Sequence, residues 1–376
     1  MRLSLGLLVF VFAALPGQPA GLAVTGQTAV AGQILIASLS FSSQGQAVGG
    51  IQFDLSADAP LSFGVLPGAQ IGTSAKVLYT SSLSGGGLRV LIVGMNLGAL
   101  ADGELLRPLI AVDPNAAPGS AQIHVDNVVA TDPTGNAVAI APVSASIQIQ
   151  AGSFTQSFVA GGVVNAASLL PGPISPGEIV TVFGGPALAG ATTILFNGVP
   201  APTILYAGPG QVNAIVPFGL DLTQQSANLE IRAQGQSLGV SSLTPANVSP
   251  ALFTRSSDGV GPGAVLNQDY TLNSPSNPAA AGAVVMLYGT GFGPLKSSVS
   301  DGQPIAGQVQ TTLQVRASIS GVGSDVLYAG SAPGLVAGLI QLNIRVPGIV
   351  AANPAAPVSL TVGSVTIPAG VTIAVQ

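Results

Sequence analysis

One phrase occurs twice in the second half of this chain. Leu205-Tyr-Ala-Gly208 is followed by Gln211-x-Asn213-x-x-Val216-Pro217, and Leu327-Tyr-Ala-Gly330 by Gln341-x-Asn343-x-x-Val346-Pro347. The stretches ahead of the phrase also correspond. Val163-Val-Asn165 through Pro176-Gly-Glu-Ile-Val-Thr-Val-Phe-Gly184 parallels Val265-Leu-Asn267 through Ala281-Gly-Ala-Val-Val-Met-Leu-Tyr-Gly289. Repetition over such a length means one supersecondary plan used twice. Each copy has about the ~100 residues that an immunoglobulin-like sandwich needs.

The rest of the chain agrees with an all-β reading. Runs such as Ile34–Leu39, Leu88–Val93 and Ser146–Ile149 are bounded by Gly, Pro, Asn or Asp, the mark of short strands between turns. With 50 Gly and 29 Pro, helices of ordinary length would be interrupted everywhere. In Val48–Leu55, Ile51, Phe53 and Leu55 alternate with Gln52 and Asp54, so one face of that strand is apolar. Met1-Arg2, an apolar run over 3–15, then Pro16-Gly17 and small residues near Ala23 have the form of a secretory signal peptide. The expected plan is a cleaved signal peptide at 1–23, a sandwich at 24–150, a Gly/Ser/Thr joint at 151–162 and two sandwich repeats at 163–256 and 257–376. The fold class is thus all-β, with three consecutive sandwiches in a secreted or cell-surface protein.

Two resemblances sharpen this plan. The succession Gly32–Ala37, Val48–Leu55, Gly85–Gly94, Ala101–Glu104 and Asn127–Asn136 resembles the cohesin-like sandwich, a jelly-roll-type relative of carbohydrate-binding modules. It departs at Ser56-Ala-Asp58-Ala-Pro60, where such modules commonly carry a Tyr-Asp-Pro turn. The stretches Val163–Ser168, Ile174–Phe183, Leu266–Pro278, Leu287–Gly291, Leu327–Gly334 and Gly370–Gln376 are similar to the Solibacter uncharacterised C-terminal domain, over about 160–376. That resemblance implies an extracellular tandem of immunoglobulin-like sandwiches and assigns no activity or site residues.

Composition narrows function by exclusion. Only 6% of residues are charged, and the net charge is −5, whereas about 25% charged is usual. No basic stripe exists for a phosphate backbone, so nucleic acid is not the expected partner. The mean hydropathy of +0.62 comes from abundant Ala, Val, Leu and Ile, and no run beyond the N-terminus is long enough to span a membrane. Cysteine is absent, which removes thiol nucleophiles, thiolate zinc sites and disulfides together.

The candidate chemistry is sparse. Gly235-Gln-Ser-Leu-Gly239 fits a hydrolase elbow, but the only histidine is His124, so a hairpin turn is expected instead. Gly289-Thr-Gly-Phe-Gly293-Pro294 lacks dinucleotide spacing and reads as a turn. Asp132-Pro-Thr-Gly-Asn136 reads as an Asx turn. Asp102, Glu104, Asp126 and Asp132 could hold a calcium ion where their loops meet, though without EF-hand spacing. Asp258, Asp269 and Asp301 show no spacing that recommends a glycosidase pair. Asn213 and Asn343 are expected to face inward and satisfy loop backbone, with Tyr206 and Tyr328 buried as rings. The other reading of these amides and phenols is a sugar-binding groove. Among the 5 Tyr, Tyr79 and Tyr270 are the rings expected at the surface. No catalytic residue, metal site or cofactor is assigned. The expected role is a non-catalytic surface or matrix interaction module, with polysaccharide binding through the first sandwich as the alternative and a glycoside hydrolase third. Its partners would be another surface protein or a polysaccharide.

Overall fold

A computed structural model describes residues 19–84, 87–94, 96–153, 158–299 and 301–376. The expected signal-peptide residues 1–18 lie outside them. Among the described residues the strands form six sheets, accompanied by a five-residue helix, Ala69–Thr73, and a short 3-10 turn, Pro186–Gly190. No described helix is long and apolar enough to cross a membrane. The chain is all-β, as its turn punctuation implies.

The first sandwich pairs a five-stranded sheet with a seven-stranded one. In the larger sheet the order is Gln27–Ala31, Val143–Ser153, Gly119–Thr131, Gly50–Ala57, Leu88–Val93 and Val77–Ser82, with Ala137–Val138 alongside. The period-2 alternation turns Ile51, Phe53 and Leu55 into a core shared with Phe41, Leu105, Leu106, Ile110, Ile123 and Ile147. Each such side chain contributes roughly 1.5–3 kcal/mol on burial. Gly21–Val24 pairs with Leu39–Ser42, and Ala20 and Leu22 are buried, so the β-structure starts before Val24. The joint expected at 151–162 is instead strand wherever it is described. Val143–Ser153 runs parallel to Gln27–Ala31, and Phe158–Asn165 opens the next sheet. The ladder partner Gln27–Ala31 supplies backbone bonds that Gly and Ser cannot announce in the sequence.

Each repeat builds two facing sheets over its own core, one at 158–243 and one at 248–375. Ala251–Leu252 pairs with Gly289 and Thr290, so these residues belong to the last sandwich rather than the one before it. The repeated phrase encodes the same irregular hairpin in both. Tyr206 faces Asn213 and Tyr328 faces Asn343, and each ladder shifts register one step before the Tyr. The unpaired bulge residues are Leu205 and Leu327, both exposed.

The phrase departs from expectation in two respects. Asn213 and Asn343 do not serve loop backbone. Their Oδ1 atoms accept hydrogen bonds from Gln211 Nε2 at 2.8 Å and Gln341 Nε2 at 2.9 Å. Residues two apart share a strand face, so Gln-x-Asn makes an amide ladder along one strand. Tyr328 is 7% exposed, with its hydroxyl donating to the Ser331 carbonyl at 2.7 Å, but Tyr206 is 50% exposed. The difference lies in the connection from the preceding strand. After Thr290 the chain runs to Val315 before the next long strand, and Val309–Thr311 pairs onto Val326–Ser331. The matching connection from Gly184 to Thr193 is far shorter, and Pro209 stands where Ser331 donates its N–H.

The glycines of the phrase have a steric cause. A Cβ on Gly208 would meet the Tyr206 phenol, and one on Gly330 the Tyr328 hydroxyl and the Val309 carbonyl. Tyr206 can swing into solvent, whereas Tyr328 and the Val309 backbone are fixed. Gly330→Ala is therefore expected to destabilise by about 2 kcal/mol or more and Gly208→Ala by under about 1 kcal/mol. Paired denaturant titrations measure the difference, and equal losses would refute this account of the motif.

Candidate interaction face

The outer side of the seven-stranded sheet carries two contrasting rows. Ladder register aligns Tyr79 with Leu91, Leu91 with Gln52, and Gln52 with Val129. The neighbouring row is Ser81, Arg89, Asp54 and Asp126. Tyr79 is 55% exposed and Val129 58% exposed. Val129 reaches this side because Asn127 takes a left-handed φ of 51° and the ladder slips between Asp126 and Val129. That bulge re-aims the strand, so the row has a third apolar member, beyond Gln52.

Asp54 organises the charged row. Arg89 donates to both carboxylate oxygens, Nε to Oδ1 at 2.7 Å and Nη2 to Oδ2 at 2.8 Å, while Asn127 Nδ2 donates to Oδ2 at 2.9 Å. These bonds, Arg89 first, hold the Asp54 carboxyl below its ordinary range. A bidentate pair of this kind fixes side-chain direction as well as charge. Further along, His124 Nε2 lies 3.2 Å from Asp58 Oδ1, and the His124 contact keeps the Asp58 carboxyl low. His124 is a half-exposed strand residue whose partner on this face is Asp58. Neither Arg89 nor Asn127 was singled out in the sequence. The alternation Leu88-Arg89-Val90 was the available signal for an outward cation on a half-buried strand.

The remaining candidates serve local structure. Gln234 and Gly235 both have positive φ between Ala227–Ala233 and Gln236–Leu243, which makes Gly235–Gly239 the expected hairpin. Thr290 ends a strand, and Gly291 and Gly293 turn the chain without a helix. Asp132 Oδ1 accepts from Thr134 N, Thr134 Oγ1 and Asn136 N, and Oδ2 accepts from Asn136 Nδ2. With Asn136 first among them, these donors hold Asp132 far below its usual range. A loop that points N–H and O–H groups at its carboxylate offers no oxygen cage to calcium. Asp102 Oδ1 accepts from Ser43 N, Glu104 Oε1 lies 3.8 Å from Arg107 Nε, and Asp126 sits in the charged row. Asp258 and Asp269 bond within their own turns, while Asp301 accepts from Phe218 N. No group of three or more His, Asp or Glu able to hold a metal is present among the described residues.

No family model matches the chain, and no curated protein matches it. The Solibacter resemblance of 160–376 has no support from either comparison. Cohesin domains match about a third of the chain among solved structures. A non-cellulosomal cohesin from the hyperthermophilic archaeon Archaeoglobus fulgidus has 20% identity over 36% of this chain and 93% of that one, with a TM-score of 0.32. The sixth cohesin of Acetivibrio cellulolyticus scaffoldin B, in complex with a Cel5 dockerin, has 15% identity over 35% of this chain and 100% of that one, with a TM-score of 0.32. A seventh ScaB type I cohesin from Pseudobacteroides cellulosolvens has 15% identity over 37% and 96%, with a TM-score of 0.31.

Sequence reasoning also missed a buried carboxyl between the second and third sandwiches. Glu178 Oε1 accepts from Asn165 Nδ2 at 2.9 Å, and Oε2 accepts from Ser175 N at 2.8 Å and Ser175 Oγ at 3.2 Å. Burial pushes its carboxyl up to about 8, against these hydrogen bonds. The signal lay in Ser175-Pro-Gly-Glu178, where Ser and Glu three apart close on each other, and in the repeat, which has Ala283 at the matching place.

Proposed function

We propose that this chain is a secreted, non-catalytic interaction protein that binds a protein partner through the outer face of its first sandwich. The carrying observation is the apolar row from Tyr79 to Val129 lying beside the fixed Arg89–Asp54–Asn127 cluster. Protein interfaces join an aromatic-bearing apolar centre to a polar rim in this way. Asp54, Asp58 and Asp126 outnumber Arg89 on this face, so charge complementarity favours a partner with a basic rim. Export of the chain, and its place at the surface or in the matrix, are part of this reading and rest on the apolar N-terminal run. The tandem repeats then act as a spacer carrying the first sandwich. Sugar binding at this face is the weaker reading, because Tyr79 is the one ring in its row and a single phenol makes no flat strip.

The test uses the purified chain against cell-envelope fractions of the source cell. Val129→Asp places a charge at the exposed end of the row, so the fold is retained and binding is expected to weaken about tenfold or more. Retention of Val129→Asp equal to that of the parent chain would overturn the assignment. Removal of retention by prior digestion of envelope polysaccharide, but not of envelope protein, would do the same.

A further inference from the structure

A second surface, where the loop 267–271 meets the strand Val284–Thr290 of the last repeat, combines features that the face above lacks. Tyr270 is the most exposed tyrosine, at 75%, and it sits at a left-handed φ of 66°. A bulky residue rarely holds that conformation, and positions that keep it are enriched at binding sites. The loop around it leaves little freedom. Tyr270 N donates to the Asn267 carbonyl and Asn267 N to the Thr271 carbonyl. Asp269 Oδ1 accepts from Thr271 N at 3.1 Å and Thr271 Oγ1 at 2.6 Å. Asn273 links the loop to the last strand, with Nδ2 donating to the Ala374 carbonyl and Oδ1 accepting from Ala374 N. The loop is tied to its sheet through Gln268, whose Oε1 accepts from Val284 N at 3.0 Å.

The strand to which Gln268 ties this loop carries a second phenol, and the strand beside it carries an amide pair. Val285 and Leu287 enter the core, so Met286 and Tyr288 lie on the other face of Val284–Thr290, where Met286 is buried and Tyr288 is half-buried. Tyr288 aligns with Gln341 in the ladder, and Gln341 Nε2 donates to Asn343 Oδ1. Burial raises the Tyr288 hydroxyl, and proximity to Tyr270 raises it further. The first repeat has the same amide ladder, Gln211 to Asn213, with Phe183 aligned beside Gln211. Between Asn165 and Ile179 it carries no aromatic residue at all. The ring pair is therefore an addition made on one copy of a shared plan, and the fold does not require it.

We propose that Tyr270, Tyr288 and the Gln341–Asn343 amides form a binding site for an uncharged polysaccharide. The C–H face of a sugar ring packs on a phenol face, and the amides supply both donor and acceptor to sugar hydroxyls. An uncharged ligand is favoured because the charged groups nearby are already engaged: Asp269 accepts from Thr271 N and Oγ1, and Lys296 Nζ donates to Gln310 Oε1 at 2.7 Å. The nearest cation in the ladder, Arg345, already donates to the Gly282 carbonyl at 2.9 Å and lies 3.9 Å from Asp325. A ring held rigid before binding loses little freedom on contact, which favours a preformed platform.

Affinity electrophoresis of the full chain in gels containing hydroxyethylcellulose, arabinoxylan, mixed-linkage glucan, soluble starch or polygalacturonate tests the site. At least one neutral polymer is expected to retard the chain, and polygalacturonate is not. Tyr270→Gly removes the ring and relieves the backbone, so retardation is expected to weaken about tenfold while the melting temperature holds or rises. Gln341→Ala is expected to weaken it as well. Tyr79→Ala is expected to leave it unchanged, which separates this site from the protein-binding face. Absence of retardation by every neutral polymer would overturn the proposal. So would undiminished retardation of Tyr270→Gly.

Discussion

Gly291→Ala is expected to loosen the joint between the two repeats and to cost about 3 kcal/mol or more in stability. Gly291 holds a φ of 79°, a conformation that disfavours any Cβ. An added Cβ would also run into the Ser249 carbonyl and come within 3.2 Å of Asn165 Nδ2. Those two atoms are themselves hydrogen-bonded, Asn165 Nδ2 to Ser249 O at 2.8 Å. Beside them, the Thr290 hydroxyl accepts from Ile179 N at 2.8 Å and donates to the Gly338 carbonyl at 2.9 Å. One methyl group thus strains its own backbone and spreads a contact that orders both sandwiches. Gly321→Ala serves as the control, since Gly321 has a φ of 78° but no neighbour within contact of a new Cβ. Its loss is expected near the conformational cost alone, about 1 kcal/mol. Calorimetry of both variants separates the two causes, and equal shifts would show that the joint contact carries no weight.

The all-β architecture was legible because alternation and turn residues act locally. Ile51, Phe53 and Leu55 announce an inward face without reference to any other strand, and Gln234-Gly235 sits at a turn that positive φ requires. The repeat was legible for the same reason, since the bulge before Tyr206 and Tyr328 is written into each copy. What differed between the copies depended on distant chain. The cover over Tyr328 comes from Val309–Thr311, and nothing in Leu-Tyr-Ala-Gly reveals it. The proposed interaction face was half legible. Tyr79 stood out in its polar setting, but Val129 reaches its row only through the bulge at Asn127, and Arg89 and Asp54 meet across strands 35 residues apart. Glu178 was legible only in its local contact with Ser175, because Asn165 and Ser249 reach the same pocket from distant chain.

Glu178 sets the second large expectation, a joint whose stability falls with rising pH. Its carboxyl is raised from an ordinary 4.5 to about 8 in the folded chain, and desolvation is the leading cause. The segments around it, 165–170, 174–179, 244–251, 290–293 and 337–339, contain no other ionisable side chain. Arg107 reaches the Leu169 carbonyl from the first sandwich, but no charge pairing figures among the causes of the Glu178 shift. For an acid raised on folding, the unfolded chain releases its proton first. Stability from this group is therefore complete below pH 4.5, declines as pH rises from there, and is lost once pH passes about 8. The slope approaches roughly 1.4 kcal/mol per pH unit inside that window. Glu178→Gln removes the proton equilibrium and keeps the shape, so its unfolding free energy is expected to stay level from pH 5 to 8. The parent chain is expected to be the more stable at pH 5, and the difference to shrink or reverse by pH 8. Denaturant unfolding at each pH measures both curves. Parallel curves across that range would mean that Glu178 is ionised within the joint, its hydrogen bonds from Asn165 and Ser175 outweighing burial.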